Sequence, residues 1–288
     1  MDSKSGGQGV STSQVLQIVL IPWVAFTIIM TLYVFVAHIS LPAVWVTILV
    51  SICFGLMFMV MDRTTKKGGV YLTLGVCLLL ATFLGSMLGM WTYQTYTKVY
   101  FAYSEYREYN NVIASESAAA HADAGKIVFA KGTRVDTMKA VGYKDGSTYC
   151  VAPISDSAMT GRVEFWAVGV DCCAAREDIW CDSARDGDAR SGVVSLDYSG
   201  FMDVIQESKY DMYQKAVKVA ESQFDIVSSP DAMFVRWVRD PTHIQDEFWK
   251  MGFGVYIITI LGYLVFCAGT GWAFQALSKP PQSRTVDP

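Results

Sequence analysis

Three long stretches of the chain contain no Asp, Glu, Lys or Arg, and they restrict what it can fold into. They are residues 15–61, 68–97 and 251–278. Each exceeds the roughly 20 apolar residues that a membrane-spanning helix needs. The first is long enough for two helices, and a polar cluster with a proline at residues 38–42 favours a turn between them. We therefore predict four spans, at residues 15–37, 41–61, 70–92 and 251–277.

The distribution of charge predicts the orientation of these spans. The short loop at residues 62–67 contains Arg63, Lys66 and Lys67, and short loops rich in Lys and Arg remain in the cytoplasm. Residues 1–14 and 278–288 are then cytoplasmic tails, residues 15–92 hold the first three helices, and residues 249–277 hold the fourth. Residues 93–248 form a domain on the extracytoplasmic side. The predicted cytoplasmic segments sum to +3 and the remainder to −7, within a total of −4.

Four of the seven cysteines fall in the predicted external domain, namely Cys150, Cys172, Cys173 and Cys181. An even set in an oxidising compartment indicates disulfides. Adjacent Cα atoms lie about 3.8 Å apart, which is too close for a Cys172–Cys173 bond. Two pairings stay open, and we favour Cys150 with Cys172 and Cys173 with Cys181. A zinc site is the alternative, but the usual spacing of zinc ligands is absent, so no metal is predicted.

The external domain has the pattern of an α+β fold. Tyrosines at helical spacing predict that the third span continues as a helix beyond the bilayer. Strand-like runs occur at residues 126–130, 148–154, 162–170, 193–196 and 233–238, and residues 200–224 have the pattern of an amphipathic helix. Alternation in the third run favours a half-buried antiparallel sheet. The tyrosines are Tyr93, Tyr96, Tyr100, Tyr103 and Tyr106, with Tyr109 extending the series.

Glycines in the third and fourth spans predict close helix packing, because small residues let helices approach one another. The third span contains a GxxxG, and glycines recur about every two turns in the fourth. We favour packing within the four-helix bundle over dimerisation. The positions are Gly85, Gly89, Gly254, Gly262 and Gly269.

Motifs of known enzyme classes are not found in the sequence: there is no GxSxG, HExxH or Walker motif. His121 and His243 have no evident nucleophile to act on and are interpreted as surface residues. A series of acidic residues is interpreted as a solvated loop, with calcium binding as the alternative. We predict no catalytic residue and no cofactor. The acidic residues are Asp171, Glu177, Asp178, Asp182, Asp186 and Asp188.

Two resemblances bear on the class of protein. Four spans with cytoplasmic ends and a large external loop that contains Cys172-Cys173 resemble the tetraspanins, although Ala174 stands where that family has glycine. The motifs at residues 149–154 and 165–173 resemble those of multipass membrane proteins of dinoflagellate algae. The first resemblance is one of architecture. The second implies a shared domain without a known activity, and leaves open a thylakoid setting.

The leading hypothesis is a non-enzymatic multipass membrane protein that binds or organises other membrane proteins through its external domain. The first alternative is an accessory subunit of a large complex such as a channel, a pump or a photosynthetic assembly. The second is a receptor or enzyme with a site in the external domain. Expected partners are membrane lipids and other membrane proteins, or a second copy of the chain, and no nucleic acid. Plasma membrane or endomembrane is the expected location, with the thylakoid as the alternative.

Overall fold

The computed structural model describes residues 11–65, 69–156, 161–176, 178–196 and 208–278. These residues form two compact units. The helical unit comprises the described residues up to Lys98 and from Trp249 onward, and the sheet domain comprises Val99–Phe248.

Within the described ranges, four helices are long and apolar enough to cross a membrane. Helices α1 and α2 are separated by a short turn, as predicted from the polar residues and Pro42. Helix α3 continues through a π-helical turn at Tyr93–Thr97 into α4, so the third candidate span runs over Val70–Glu105. The six helices are α1 (Thr12–Phe35), α2 (Leu41–Thr65), α3 (Val70–Thr92), α4 (Lys98–Glu105), α5 (Lys209–Phe224) and α6 (Pro241–Leu277).

The strands of the sheet domain follow α4 and precede α6, with α5 inserted before the last strand. The boundary expected at residue 92 between the third span and the domain differs from that of the structure, because α4 continues the helix as far as Glu105. The extension agrees with the helical spacing of the tyrosines as far as Tyr103. Tyr106 lies beyond the end of α4 and Tyr109 lies in the first strand, so the predicted extension of the tyrosine series is wrong.

Glycines allow α3 to pack closely against α1. A Cβ added at Gly85 would lie 3.3 Å from Phe26 Cδ2, and one at Gly89 would lie 2.9 Å from Tyr33 Cγ. Helix α3 also contacts α2, where the Ser51 and Thr82 hydroxyls lie 2.6 Å apart and form a hydrogen bond. Both glycines therefore lie at helix contacts.

The face of α6 that packs in the helical unit is not the one marked by the glycines chosen from the sequence. A Cβ at Gly254, Gly262 or Gly269 would meet no described atom within 4 Å, so bundle packing does not explain these three. The packed face instead includes Ile260, Tyr263 and Cys267. Two further glycines lie on close contacts: a Cβ at Gly252 would approach Tyr96 Cβ to 2.9 Å, and one at Gly271 would approach Val19 Cγ2 to 2.6 Å.

In the part of the chain that the structure describes, eight strands form one sheet in the order β1-β2-β7-β8-β6-β5-β3, with β4 also paired to β5. The sheet is mixed and not antiparallel throughout, because β1 pairs with β2, and β6 with β8, in parallel. The five predicted strands are present, and β1, β3 and β4 are additional. The bounds are β1 (Arg107–Val112), β2 (Ala124–Phe129), β3 (Arg134–Val135), β4 (Val141–Asp145), β5 (Ser147–Ser155), β6 (Val163–Val170), β7 (Ser191–Val194) and β8 (Ser228–Val238).

Both faces of the sheet are buried at β6, which corrects the expectation of a half-buried sheet. Phe165 and Ala167 belong to one hydrophobic core. Trp166 and Val168 belong to a second core on the opposite side of the strand. The Trp166 indole is fully buried and donates a hydrogen bond from Nε1 to Ser228 Oγ at 3.1 Å.

Helix α5 covers the second core. It buries Met212, Tyr213, Ala216 and Ala220 against the sheet, as an amphipathic helix should. The N-cap is Ser208, whose side chain accepts a hydrogen bond from the Asp211 backbone N–H. Of the predicted helix at residues 200–224, the part before residue 208 lies outside the described residues.

Candidate recognition loop and adjoining cavity

Of two disulfides, one joins the segment that follows β6 to strand β5, and the other closes a loop within that segment. Cys150 is bonded to Cys173 with Cα atoms 5.8 Å apart, and Cys172 is bonded to Cys181 with Cα atoms 4.9 Å apart. The pairing favoured from the sequence is therefore wrong, and the alternative pairing is formed. The zinc alternative lacks thiolate ligands here, because the clustered sulfurs of Cys150, Cys172 and Cys181 are all in disulfides.

Glycines in two strands make room for these disulfides. A Cβ at Gly169 of β6 would collide with Sγ of both Cys172 and Cys181. A Cβ at Gly142 of β4 would lie 3.0 Å from Sγ of Cys173. Glycine inside a strand often marks such a close approach, and this signal at Gly169 could have been read from the sequence.

Residues 172–181, closed by Cys172–Cys181, form what we call the recognition loop. Trp180 is 46% exposed although its neighbours Ile179 and Cys181 are buried. The Trp180 backbone N–H donates to the Cys172 carbonyl at 2.9 Å. The Arg185 guanidinium carbon lies 5.7 Å from the centre of the Trp180 ring, within the range of a cation–π contact.

Arg185 is itself fixed to the recognition loop. Its Nη2 lies 2.5 Å from Asp178 Oδ1, and its Nε donates to the Ile179 carbonyl at 3.3 Å. The disulfide and the backbone hydrogen bond thus restrain the main chain at Trp180, and the anchored Arg185 contacts the exposed indole ring. Glu177 lies outside the described residues.

Arginines pair with most of the acidic residues that were interpreted as a solvated loop. Arg236 of β8 donates to both carboxylate oxygens of Asp182, from Nε at 3.1 Å and from Nη2 at 2.8 Å. Arg239 donates from Nε to Asp186 at 2.8 Å, and Asp171 accepts from the Thr148 backbone N–H at 2.7 Å. Asp171 and Asp182 are exposed and Asp186 is partly exposed, as the solvated interpretation implies. These carboxylates also accept hydrogen bonds from protein donors, which disfavours calcium.

The environment of Asp186 stabilises its charged form. The backbone N–H of Asp188 donates to Asp186 Oδ1 at 3.0 Å. That hydrogen bond, followed by the one from Arg239, lowers the pKa of the Asp186 carboxyl. Asp186 therefore links the segment after the recognition loop to the end of β8.

A cavity of about 340 Å³, here called the polar cavity, adjoins the Cys172–Cys181 disulfide. Burial raises the pKa of Tyr213 to about 12, opposed by the nearby Arg236 charge, so its hydroxyl stays protonated at neutral pH. The hydrogen bond to Asp182 raises the pKa of Arg236. The lining residues are Gly169, Val170, Cys172, Asp182, Lys209, Tyr213 and Arg236.

The two histidines of the sheet domain differ in burial. His121 is only 8% exposed, which corrects the surface interpretation, and its ring centre lies 4.7 Å from that of Tyr109. Its Nε2 lies 3.6 Å from Glu116 Oε2. His243 is exposed, with Nδ1 3.7 Å from Glu247 Oε1. The described contacts of the His121 ring are with Glu116 and two aromatic rings, and that of the His243 ring is with Glu247.

Comparison with known proteins identifies no relative. No protein-family model, curated protein or solved structure matches the chain significantly. The functional argument therefore depends on the geometry of the sheet domain.

Proposed function

We propose that the protein is a non-enzymatic membrane protein that binds other membrane proteins through its sheet domain, with the recognition loop as the contact surface. The observation that carries this proposal is the exposed Trp180, which lies in a disulfide-closed loop and contacts Arg185. The four apolar helices support membrane attachment. The disulfides and the Lys- and Arg-rich loop at residues 62–67 support placement of the sheet domain on the extracytoplasmic side.

Trp180 has the properties of an interface anchor. Tryptophan and arginine are enriched among the few residues that dominate protein–protein binding energy. A residue that is already restrained loses less conformational entropy on binding. The disulfide restrains the main chain and Arg185 contacts the ring, which favours a folded protein partner with an apolar recess for one indole ring.

Site-specific crosslinking tests the contact. A photoreactive amino acid is placed at Trp180 in the full chain within its native membrane, and a matched probe is placed at Val219, which is 39% exposed on α5. We expect the probe at position 180 to crosslink to a protein that itself has membrane spans, and the probe at position 219 not to do so. Equal crosslinking from both positions, or none from position 180, would contradict the proposal.

Substitution measures the contribution of the indole. Trp180→Ala should reduce co-purification of the crosslinked partner at least tenfold, since hot-spot truncations cost roughly 2 kcal/mol or more. Val219→Ala should leave it unchanged. Retention of both disulfides in the Trp180 variant separates lost binding from misfolding. The stoichiometry of the purified complex distinguishes an organiser with several partners from a subunit with one.

A further inference from the structure

The Tyr213 side chain lines the polar cavity, and its hydroxyl has no hydrogen-bond partner among the described residues. Tyr213 is 4% exposed, and its ring packs edge-on against Tyr149 and Phe234 at centroid distances of 5.9 and 5.6 Å. The hydroxyl oxygen is not among the fully buried atoms that lack a hydrogen bond, so it reaches the open space of the cavity, where a bound molecule can pair with it.

Arg236 has unused donors beside that hydroxyl. Its guanidinium carries five N–H groups, and the bonds to Asp182 use Nε and one hydrogen of Nη2. Within the described part of the chain, Nη1 makes no hydrogen bond. The edge formed by Nη1 and Nη2 is therefore available to a second carboxylate, and such pairs are commonly bidentate.

Lys209 adds a second cation to the lining. No described carboxylate forms an ion pair with its ammonium group. Lys209 is also the first residue of α5, a helix of 16 residues, so the positive end of the helix dipole lies there. Two cations and the single carboxylate of Asp182 give the lining a net charge of +1.

We propose that the polar cavity binds a small organic monocarboxylate. Its carboxylate accepts hydrogen bonds from the free edge of Arg236 and from the Tyr213 hydroxyl, while Lys209 supplies the balancing charge. A monoanion matches the net charge of the lining, whereas a phosphate dianion would leave excess negative charge. The volume is near the lower end for small-molecule sites, and Val170 with the Cys172 sulfur offers an apolar surface for the rest of the ligand. This proposal does not require the recognition loop's partner, although Cys172 belongs to both the recognition loop and the cavity lining.

Titration calorimetry on the full chain in nanodiscs tests the site. The probes are a series of monocarboxylates from acetate to benzoate, with benzamide as the uncharged analogue and inorganic phosphate as the competing oxyanion. We expect saturable binding of at least one carboxylate and none of benzamide. Tighter binding of phosphate, or no saturable binding by any carboxylate, overturns the proposal.

Conservative variants locate the binding. Tyr213→Phe keeps the ring and Lys209→Gln keeps most of the side-chain length, and each should weaken carboxylate binding at least fivefold. The matched controls on the same helix are Tyr210→Phe and Lys218→Gln, at positions that do not line the polar cavity. Unchanged unfolding midpoints without ligand exclude a structural cause. Equal affinities in the cavity variants and the controls would place the ligand elsewhere and refute the assignment.

Discussion

Gly169 shows how a single residue without a side chain determines the disulfide geometry. It lies in β6 beneath the Cys172–Cys181 disulfide, where the two sulfurs occupy the space that a Cβ would need. Cys150 pairs with Gly169 across β5 and β6, so both disulfides converge on this part of the sheet. Backbone space at Gly169 is therefore a condition for forming the Cys172–Cys181 bond.

Substitution of Gly169 should accordingly destabilise the sheet domain. Gly169→Ala adds a methyl group that overlaps two disulfide sulfurs, and overpacking of this kind costs roughly 1–3 kcal/mol. Gly187→Ala is the control, because a Cβ there would meet no described atom within 4 Å. The thermal unfolding midpoints of the two purified variants, compared with that of wild type, measure the loss of stability. Equal midpoints for the two variants would show that the sulfurs shift without cost.

Asp186 should contribute a pH-dependent part of the stability. Its pKa is lower in the folded protein than in an unfolded chain, because the Asp188 N–H and Arg239 stabilise the carboxylate. A lowered folded-state pKa gives stability above the unfolded pKa, and that stability is lost as the pH falls through the folded value. Asp186→Asn should therefore unfold at a lower temperature than wild type at neutral pH.

The difference between wild type and Asp186→Asn should disappear in strong acid, where both side chains are uncharged. Thermal midpoints of the two proteins across the acidic range measure it. Asp145→Asn is a comparison on the exposed end of β4. A difference that stays constant with pH would assign the effect of Asp186→Asn to something other than its charge.

At the scale of elements, the sequence predicts those helices and strands whose residues show a clear periodicity or a continuous apolar run. The apolar runs of β5 and β6 and the amphipathic pattern of α5 are sufficient to identify these elements. Strand β1 was missed because Arg107–Val112 is polar and mostly exposed at the sheet edge. The parallel pairing of β6 with β8 depends on how distant segments assemble, which local patterns do not encode.

The glycines of α3 and α6 illustrate the same limit. Spacing identifies a stripe of small residues, but only the assembled helices show which stripe is covered. The sequence suggested Gly85 and Gly89 on α3, which contact α1, and Gly262 on α6, which faces open space. The tight contacts of Gly252 and Gly271 were missed because other glycines in α6 gave a more regular spacing.

Alanine substitutions at Gly89 and at Gly262 should have opposite effects on the stability of the helical unit. Gly89→Ala forces a Cβ against the Tyr33 ring, and overpacking costs roughly 1–3 kcal/mol. Gly262→Ala meets no described atom, and replacing a mid-helix glycine with alanine stabilises a helix by roughly 0.5–1 kcal/mol. Thermal unfolding in a fixed detergent compares them. Destabilisation by Gly262→Ala would indicate that this face is covered in the native assembly.

For the whole molecule, the disulfides and the uneven distribution of charge both bear on the orientation of the chain in the membrane. Disulfides persist in oxidising compartments, and Lys and Arg concentrate in short cytoplasmic loops. The sheet domain contains both disulfides, while Arg63 lies in the last turn of α2. These features together favour the sheet domain and the α2–α3 connection on opposite sides of the membrane.

Cysteine labelling in sealed vesicles of known orientation tests this topology. Single cysteines are introduced by Lys218→Cys in the sheet domain and by Thr65→Cys at the end of α2, both at exposed positions. The free Cys53, Cys77 and Cys267 are replaced by alanine, and the disulfide cysteines do not react. A membrane-impermeant maleimide added from the cytoplasmic side should label only position 65, and from the opposite side only position 218. Labelling of both positions from one side would exclude an odd number of crossings between them, and the reversed pattern would place the sheet domain in the cytoplasm, where its two disulfides would face a reducing environment.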